Sequence, residues 1–373
     1  MSGVGMTKTL PLSALHEAAS ARFGPFAGYS MPISYPLGVM KEHLHTRSDA
    51  GLFDISHMSH IEVEGPDAGR FIAHACPYHA GDQAIGTGRY TYMLNETGGM
   101  IDDLIVSRLS ESGYLVVANG ACADKDLAHL KALAADFDVS VRPRPRVFLA
   151  LQGPKAAEVL SRHLPESGSL TFMQVLVTDA STFVSRSGYT GEDGFEIAID
   201  PGADAVAFAE NLANEPEVEW IGLGARDSLR IEAGLPLYGQ DMDETVNPLT
   251  AGLVWAIPKD LRTDGTFIGA KAIAERVELG ADRKRSGLTP EGKAPVRGDA
   301  LLFDSDSDGA AEIGVVTSGG FGPSCGHPVA IASVDRTFTI GDTVYADVRG
   351  RKLACTLQKL PFVPHKYKRG KEQ

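Results

Sequence analysis

The chain reads as an α+β protein, with a duplicated body of antiparallel sheets and helices followed by a small C-terminal β-barrel. Two observations predict this. A short apolar strand, a Gly-Pro dipeptide and a helical pattern occur twice, at "IEVEGPDAGRFIAHA" from Ile61 and at "LALQGPKAAEVLSRHL" from Leu149. Beyond residue 285 the composition changes to short strand-like runs broken by Gly, Pro and Asp turns. At 373 residues the length suits two or three domains.

In each repeat the proline is expected in the first helical turn, where its missing N–H would be unpaired anyway. Each unit continues into strand-like segments with Gly-rich turns, "RYTYMLNETGGMIDDLIVSRL" in the first and "STFVSRSGYTGEDGFEIAID" in the second. Helical stretches follow around "ADKDLAHLKALAADF" and "GADAVAFAENLANE", so helices are expected to one side of the sheets. Laying "GMIDDLIV" on "EDGFEIAI" sets Asp103 opposite Glu196. Two carboxylates in matching places would face one cleft; coincidence within so short an alignment is the competing explanation. "ERVELGADRKR" is a charge-rich helix end that marks a boundary. After it, "EIGVVTSGG", "PVAIASV" and "DTVYADVRGRKLACTLQKL" predict a small barrel or sandwich, with "VRGRK" turning a hairpin.

A net charge of −13 argues against a nucleic-acid binder, which would carry a basic face. A local basic pocket for an acidic small molecule remains compatible with it. Cys76, Cys122, Cys325 and Cys355 form no CxxC pair, so reduced structural thiols are expected and no metal site is. No apolar run approaches the ~18 residues of a membrane span. The opening "MSGVGMTKTLPLS" lacks a signal-peptide core. A cytoplasmic protein fits, and a mature mitochondrial form is compatible.

Candidate chemistry starts at "NETGGMIDDLIV" (95–106). Side chains alternate along a strand, so Asp103 shares a face with Ile101 and Ile105, and Asp102 with Leu104 and Val106. A buried carboxylate is costly unless paired, and burial raises its pKa. A site handling an amine or a cationic intermediate would supply the pairing; an Asp held by turn amides or an arginine is the plainer account, and pattern alone does not choose between Asp102 and Asp103. "SRSGYTGEDGFEI" carries Tyr189, Glu192, Asp193 and Glu196. A solvated turn suits Glu192 and Asp193 better than it suits Tyr189 and Glu196. In "GLGARDSLRIEAGLPLYGQDMDE" the partial GxG lacks its third glycine, with Asp227 in that place, so a dinucleotide fold is rejected. Arg226 then stands at a helix start, its fork suited to a carboxylate or to a structural ion pair. His57 and His60 in "DISHMSH" lie in an extended segment with no third ligand nearby. No GxSxG, Walker loop or HExxH is present.

These motifs, with "FAGYSMPISY", "AGLFDISHM", "VNPLTAGLVWAI", "VTSGGFGPSCG" and "KLPFVP", stand in one order along nearly the whole chain. In that order the sequence resembles the aminomethyltransferase (T-protein) family of the glycine cleavage system. The resemblance implies a three-domain cloverleaf around a central folate channel. It divides the chain into a discontinuous α+β domain (1–58 and 140–250), a second α+β domain (59–139), a connecting helical segment (251–285) and a C-terminal β domain (286–373). It implies transfer of a methylene from an aminomethyl-lipoyl carrier protein to tetrahydrofolate, with release of ammonia, and no metal, nucleic-acid or membrane partner. Residue by residue it puts the key aspartate on Asp103 rather than Asp102. Folate-contacting positions fall on Met58, Tyr90, Asn119, Tyr189, Glu196 and Arg226, with Trp255 against the ligand and Tyr367 near the C-terminus. Tyr29 and Cys325 depart from the usual Trp and Leu, outside the expected chemistry. A carrier facing this acidic chain would need a basic patch, for which "RKRSG" and "HKYKRGK" are candidates. A folate-dependent demethylase of a small sulfonium or methylamine and a non-enzymatic folate-binding protein are the alternatives; the accessory branch's Cys-containing signature is absent.

Overall fold

In both repeats the Gly-Pro dipeptide makes a bend that favours glycine. The computed structural model describes residues 7–178 and 182–370. Gly65 has φ +149° and Gly153 φ +129°. A Cβ added to either would lie 2.2 Å from a carbonyl oxygen, of Asp138 and Asp49 respectively. The turns are closed by Ala68 N–H to the Gly65 oxygen and Ala156 N–H to the Gly153 oxygen. Pro66 and Pro154 therefore occupy the second position of a turn, where a fixed φ is favoured. The helices begin two residues later than the prolines, at Ala68 and Ala156, a small correction to the expected first-turn placement.

The chain opens with β1 (Lys8–Thr9), α1 (Ser13–Ala18), β2 (Arg22–Phe26) and β3 (Tyr29–Ser34), then α2 (Val39–Ser48) and β4 (Ala50–Asp54). The first repeat comprises β5 (Ser59–Glu64), α3 (Ala68–Ala75), β6 (Thr87–Leu94), β7 (Met100–Ser110), β8 (Gly113–Ala118), α4 (Ala123–Leu133) and β9 (Ser140–Pro143). The second comprises β10 (Val147–Gln152), α5 (Ala156–His163), β11 (Val175–Val177), β12 (Thr182–Ser185), β13 (Gly194–Ile199), α6 (Ala203–Ala213) and β14 (Val218–Trp220). Their sheets run β6-β7-β8-β5-β9 and β11-β12-β13-β10-β4-β14.

Matching the two orders, with β4 inserted in the second, pairs β8 with β13 and β7 with β12. The duplication is real in topology, but Asp103 on β7 and Glu196 on β13 do not stand on equivalent strands. The short alignment matched two Gly-rich turns that occur at different places, one between β6 and β7 and the other between β12 and β13. A chance likeness of turn composition misaligned the strands that follow.

Four layers result. One face of the second sheet buries Leu149, Leu151, Phe195 and Ile197 against α5 and α6. One face of the first buries Ile61, Val63, Leu104 and Val106 against α3 and α4. The two remaining faces meet each other through Phe53, Leu115, Val117, Phe148, Ala150 and Ala198, and α7 (Leu223–Glu232) closes this core with Ala225 and Leu229. A segment with α8 (Leu261–Asp264) and α9 (Ala270–Leu279) packs Leu253, Ile257, Phe267 and Ile273 against Tyr92 and Leu94 of β6.

The tail forms β15 (Arg283–Pro290), β16 (Leu301–Phe303), β17 (Glu312–Gly322), β18 (His327–Asp335), β19 (Thr343–Val348) and β20 (Arg351–Gln358). They close as a six-stranded barrel in the order β15-β18-β17-β16-β19-β20, all pairs antiparallel, which decides for a barrel over a sandwich. Arg349 and Gly350, with φ +56° and +78°, turn the predicted hairpin. No helix among the described residues is long and apolar enough to cross a membrane.

Gly65→Ala should lower unfolding stability by about 2 kcal/mol or more, since it combines a positive φ with a backbone clash. Gly168→Ala, where an added Cβ meets nothing within 4 Å, should stay within about 0.5 kcal/mol. Urea midpoints compare the two; equal effects would contradict the strained bend.

Candidate active site

On β7 the strand alternation sends two neighbouring aspartates into different layers. Asp102 points with Leu104 and Val106 toward α4 and is fully buried. Asp103 points with Ile105 toward the space between the sheets and is half-buried. Asn119, the residue after β8, ties them together. Its backbone N–H donates to Asp102 Oδ2 (3.0 Å), and its side-chain amide donates to Asp102 Oδ1 (2.9 Å) and Asp103 Oδ1 (2.8 Å). The amide must face this way, because its oxygen would be repelled by two carboxylates. Tyr90, from β6, donates its hydroxyl to Asp103 Oδ2 at 3.1 Å.

Among the described residues Asp103 thus has two neutral donors and no cation bonded to it. Burial, and then the negative charge of Asp102, push its pKa up to about 7, against the pull of Asn119 and Tyr90. The Tyr90 ring stacks on Trp255 with centroids 5.5 Å apart and planes at 22°. Trp255 sits on a short turn of 3-10 helix and is 61% exposed, so one indole face is open.

The second sheet supplies the other wall. Glu196 lies on the inter-sheet side of β13, and Ser187 donates to its Oε2 at 2.7 Å. Burial raises its pKa, with Ser187 and the Arg226 charge opposing. Arg226, in the first turn of α7, spreads its guanidinium over the Tyr189 ring at 4.7 Å. Tyr189 donates its hydroxyl to the Pro236 oxygen, and the charges of both Asp103 and Arg226 reach it. Met58 packs against the inter-sheet core, as does Ile105. Tyr367 stacks on Phe172 at 4.1 Å, and the charge of Glu196 reaches its hydroxyl. Asp103, Tyr90, Asn119 and Trp255 therefore form one contiguous group, and Glu196, Arg226 and Tyr189 a second, with Tyr189 between them. Met58 and Tyr367 flank these groups and make no hydrogen bond to either among the described residues.

Other expectations change. Glu192 and Asp193 are not a solvated turn: Glu192 is buried between Arg47 and Lys366 (3.1 Å each), and Arg186 grips both oxygens of Asp193. Arg230 makes the structural ion pair, bonding Asp241 at 2.8 Å and Asp227 at 2.9 Å. His57 is buried, and burial with Arg226 nearby depresses its pKa to about 3, so it is neutral. Among the described residues the cluster with metal-like spacing is Asp102, Cys122 and Asp126, which contains neither His57 nor His60.

Sequence reasoning overlooked three residues. Ser187 was visible as a hydroxyl within the quoted turn. Arg285 lies in the "RKRSG" run named as a candidate carrier patch, yet it is half-buried on β15 with Nη1 buried and unpartnered among the described residues, and its charge reaches Tyr90 and Tyr189. With Gln240, Asp241, Thr250 and Thr317 it lines a cavity of about 300 Å³. Asp126 had no signal beyond a helix position.

Two family models match the chain: the GCVT N-terminal domain over residues 12–261 and the glycine cleavage T-protein C-terminal barrel domain over residues 283–364. A mitochondrial aminomethyltransferase of Gallus gallus is 41% identical over 96% of this chain and 93% of its own length. An aminomethyltransferase of Nitrosomonas europaea is 37% identical over 96% of this chain and 98% of its own. The crystal structure of the glycine cleavage system aminomethyltransferase T from Bartonella henselae superposes with a TM-score of 0.94 at 49% identity, covering 97% of this chain and 100% of that one.

Asp103 carries a pKa raised in the folded state, from 3.8 to about 7. The folded chain keeps this proton over a range where the unfolded chain has lost it. Its contribution to stability is therefore full below about pH 4 and is lost as pH rises through about 7. Asp103→Asn should match the wild type in urea near pH 4 and exceed it by roughly 1–3 kcal/mol near pH 8. A difference that fails to grow with pH would mean that the carboxylate is well solvated.

Proposed function

The chain belongs to the glycine cleavage T-protein family and is an aminomethyltransferase; from that premise we propose that its co-substrate is tetrahydrofolate and its partner a lipoyl carrier protein. The observation that carries the reading is Asp103, a carboxylate bonded among the described residues by the neutral donors Tyr90 and Asn119 alone, at the wall of the inter-sheet space.

The residues fit a reduced folate. An aminopyrimidine edge offers N–H donors, and Glu196 is an acceptor to which, among the described residues, Ser187 alone donates. Tyr189 and Trp255 supply flat faces for a ring system. Arg226 and Arg285 supply positive charge for an acidic tail. Bound tetrahydrofolate brings two nitrogens able to take the methylene. In the transfer the carbon gives up its bonds to ammonia and to the lipoyl sulfur and gains two to those nitrogens; the two N–H protons leave on ammonia and on the thiol.

Within that scheme Asp103 faces the place where positive charge develops as ammonia departs. A fixed carboxylate in a dry cleft stabilises such charge, and with a pKa near neutrality it can accept a proton from an attacking N–H and pass it on. Tyr90 and Asn119 hold the carboxylate still, which avoids reorganisation during the step. Glu196, Arg226 and Tyr189 orient the acceptor, and much of the acceleration comes from holding the two reactants together.

Incubation with an aminomethylated lipoyl carrier and tetrahydrofolate should yield methylenetetrahydrofolate and ammonia in equal amounts. Asp103→Asn should lower kcat by about 10²–10³, whereas Glu196→Gln should act mainly on KM for the folate. Folate binding without turnover would sink the transferase assignment, and unchanged turnover in Asp103→Asn would sink the role given to that residue.

A further inference from the structure

Helix α4 brings a third carboxyl up to the pair on β7. Asp126, in its first turn, is fully buried, and neither of its oxygens meets a donor nitrogen or hydroxyl among the described residues. Ligand atoms of Asp126, Asp102 and Cys122 lie within 4.8 Å of one another. Two ionised carboxylates so close in a dry layer would repel strongly, so the pair shares a proton.

The donor inventory decides which member holds it. Asp102 accepts two bonds from Asn119, and the nearby Cys122 thiol further favours its charged form. Asp126 accepts none. The carboxyl surrounded by donors stays ionised, and the one without donors keeps the proton and gives its O–H to Asp102. Burial and the charge of Asp102 act in the same direction, raising the Asp126 pKa well above the carboxylate range.

We propose that Asp126 is a positioning residue for the transfer: the proton it keeps holds Asp102 as an acceptor-only carboxylate, which aims the Asn119 amide at Asp103. The inference rests on the reading of Asp103 as the reacting carboxylate. Asn119 can donate to Asp102 and Asp103 together only while both accept. Were Asp102 to take the proton, its oxygens would lose their charge and accept more weakly from Asn119, loosening the amide that faces Asp103.

The charge relation runs the same way. Around the Asp102–Asp126 pair stand Cys122 and Lys125 from the α4 region, Cys76 after α3, Tyr238 from the loop beyond α7, and Asp103 on the same strand. Lys125 is already committed to Glu244 at 2.8 Å and to the Ile101 oxygen. Tyr90, Tyr189 and Asn119 face Asp103. A neutral Asp102 would remove a negative charge beside Asp103, so Asp103 would ionise at lower pH.

The test is the pH profile of kcat. Asp126→Ala should lower kcat by about ten- to a hundredfold, move the acidic limb to lower pH, and leave KM for the carrier unchanged. Asp126→Asn, whose amide still donates to Asp102, should keep both kcat and the limb near wild type. A purely structural Asp126 would lower thermal stability with the limb unmoved, which would overturn the proposal. Asp103→Asn runs alongside: if it stays active, the site reading falls and this inference with it. If it is dead while Asp126→Ala keeps the wild-type limb, the inference falls alone. Infrared spectra cover a variant that does not fold. At about pH 8, above the ordinary carboxyl range, the wild type and Asp103→Asn should show the carbonyl band of a protonated buried carboxyl. Persistence of that band in Asp126→Asn would overturn the assignment.

Discussion

One side-chain amide bonds two neighbouring carboxylates, and the site depends on that bridge. Asp102 and Asp103 are adjacent on a strand, so the pleat sends them to opposite faces, one into a helix-covered core and the other into the space between two sheets. Asn119, at the end of the next strand, is within reach of both. Its position follows from the antiparallel pairing of β7 with β8, which sets Leu104 against Ala118. A one-residue slip in that register would flip the side chains and break the bridge.

Two kinds of partner distinguish several of the acids set inside this molecule. Asp193, Glu192, Asp241 and Glu232 each have an arginine within ion-pair distance. These pairs join the Gly-rich turn to α2 and the tail, and α7 to α2 and to the loop that follows it. Asp103 and Glu196 have hydroxyl or amide donors instead. A carboxylate solvated by neutral donors keeps its charge available, and keeps its pKa raised, for whatever cation or N–H donor enters.

Packing explains why the site lies where it does. The two sheets share a core of Phe53, Leu115, Val117, Phe148 and Ala198, and both acids stand on the strand faces that line it. Helices cover the outer faces, so a ligand can approach only at the margins of the inter-sheet layer. α7 reaches that margin with Arg226 and, a turn later, anchors the barrel through Arg230, which bonds Ser318, and Ile231. One helix thus links the cleft wall to the C-terminal domain.

The sequence by itself determined the repeated Gly-Pro bend, the composition shift to a barrel, the Arg349–Gly350 hairpin, the opposite faces of Asp102 and Asp103, and membership of a family through long motifs in order. These are local properties, written in backbone sterics and in the two-residue period of a strand. Only the tertiary structure decided that Asp103 and Glu196 stand on non-equivalent strands, that Glu192 and Asp193 are structural, that Arg285 turns inward, and that Asp126 backs Asp102. Each of those depends on which strands pair and which layers meet, contacts between residues far apart in the chain whose partners no local pattern names.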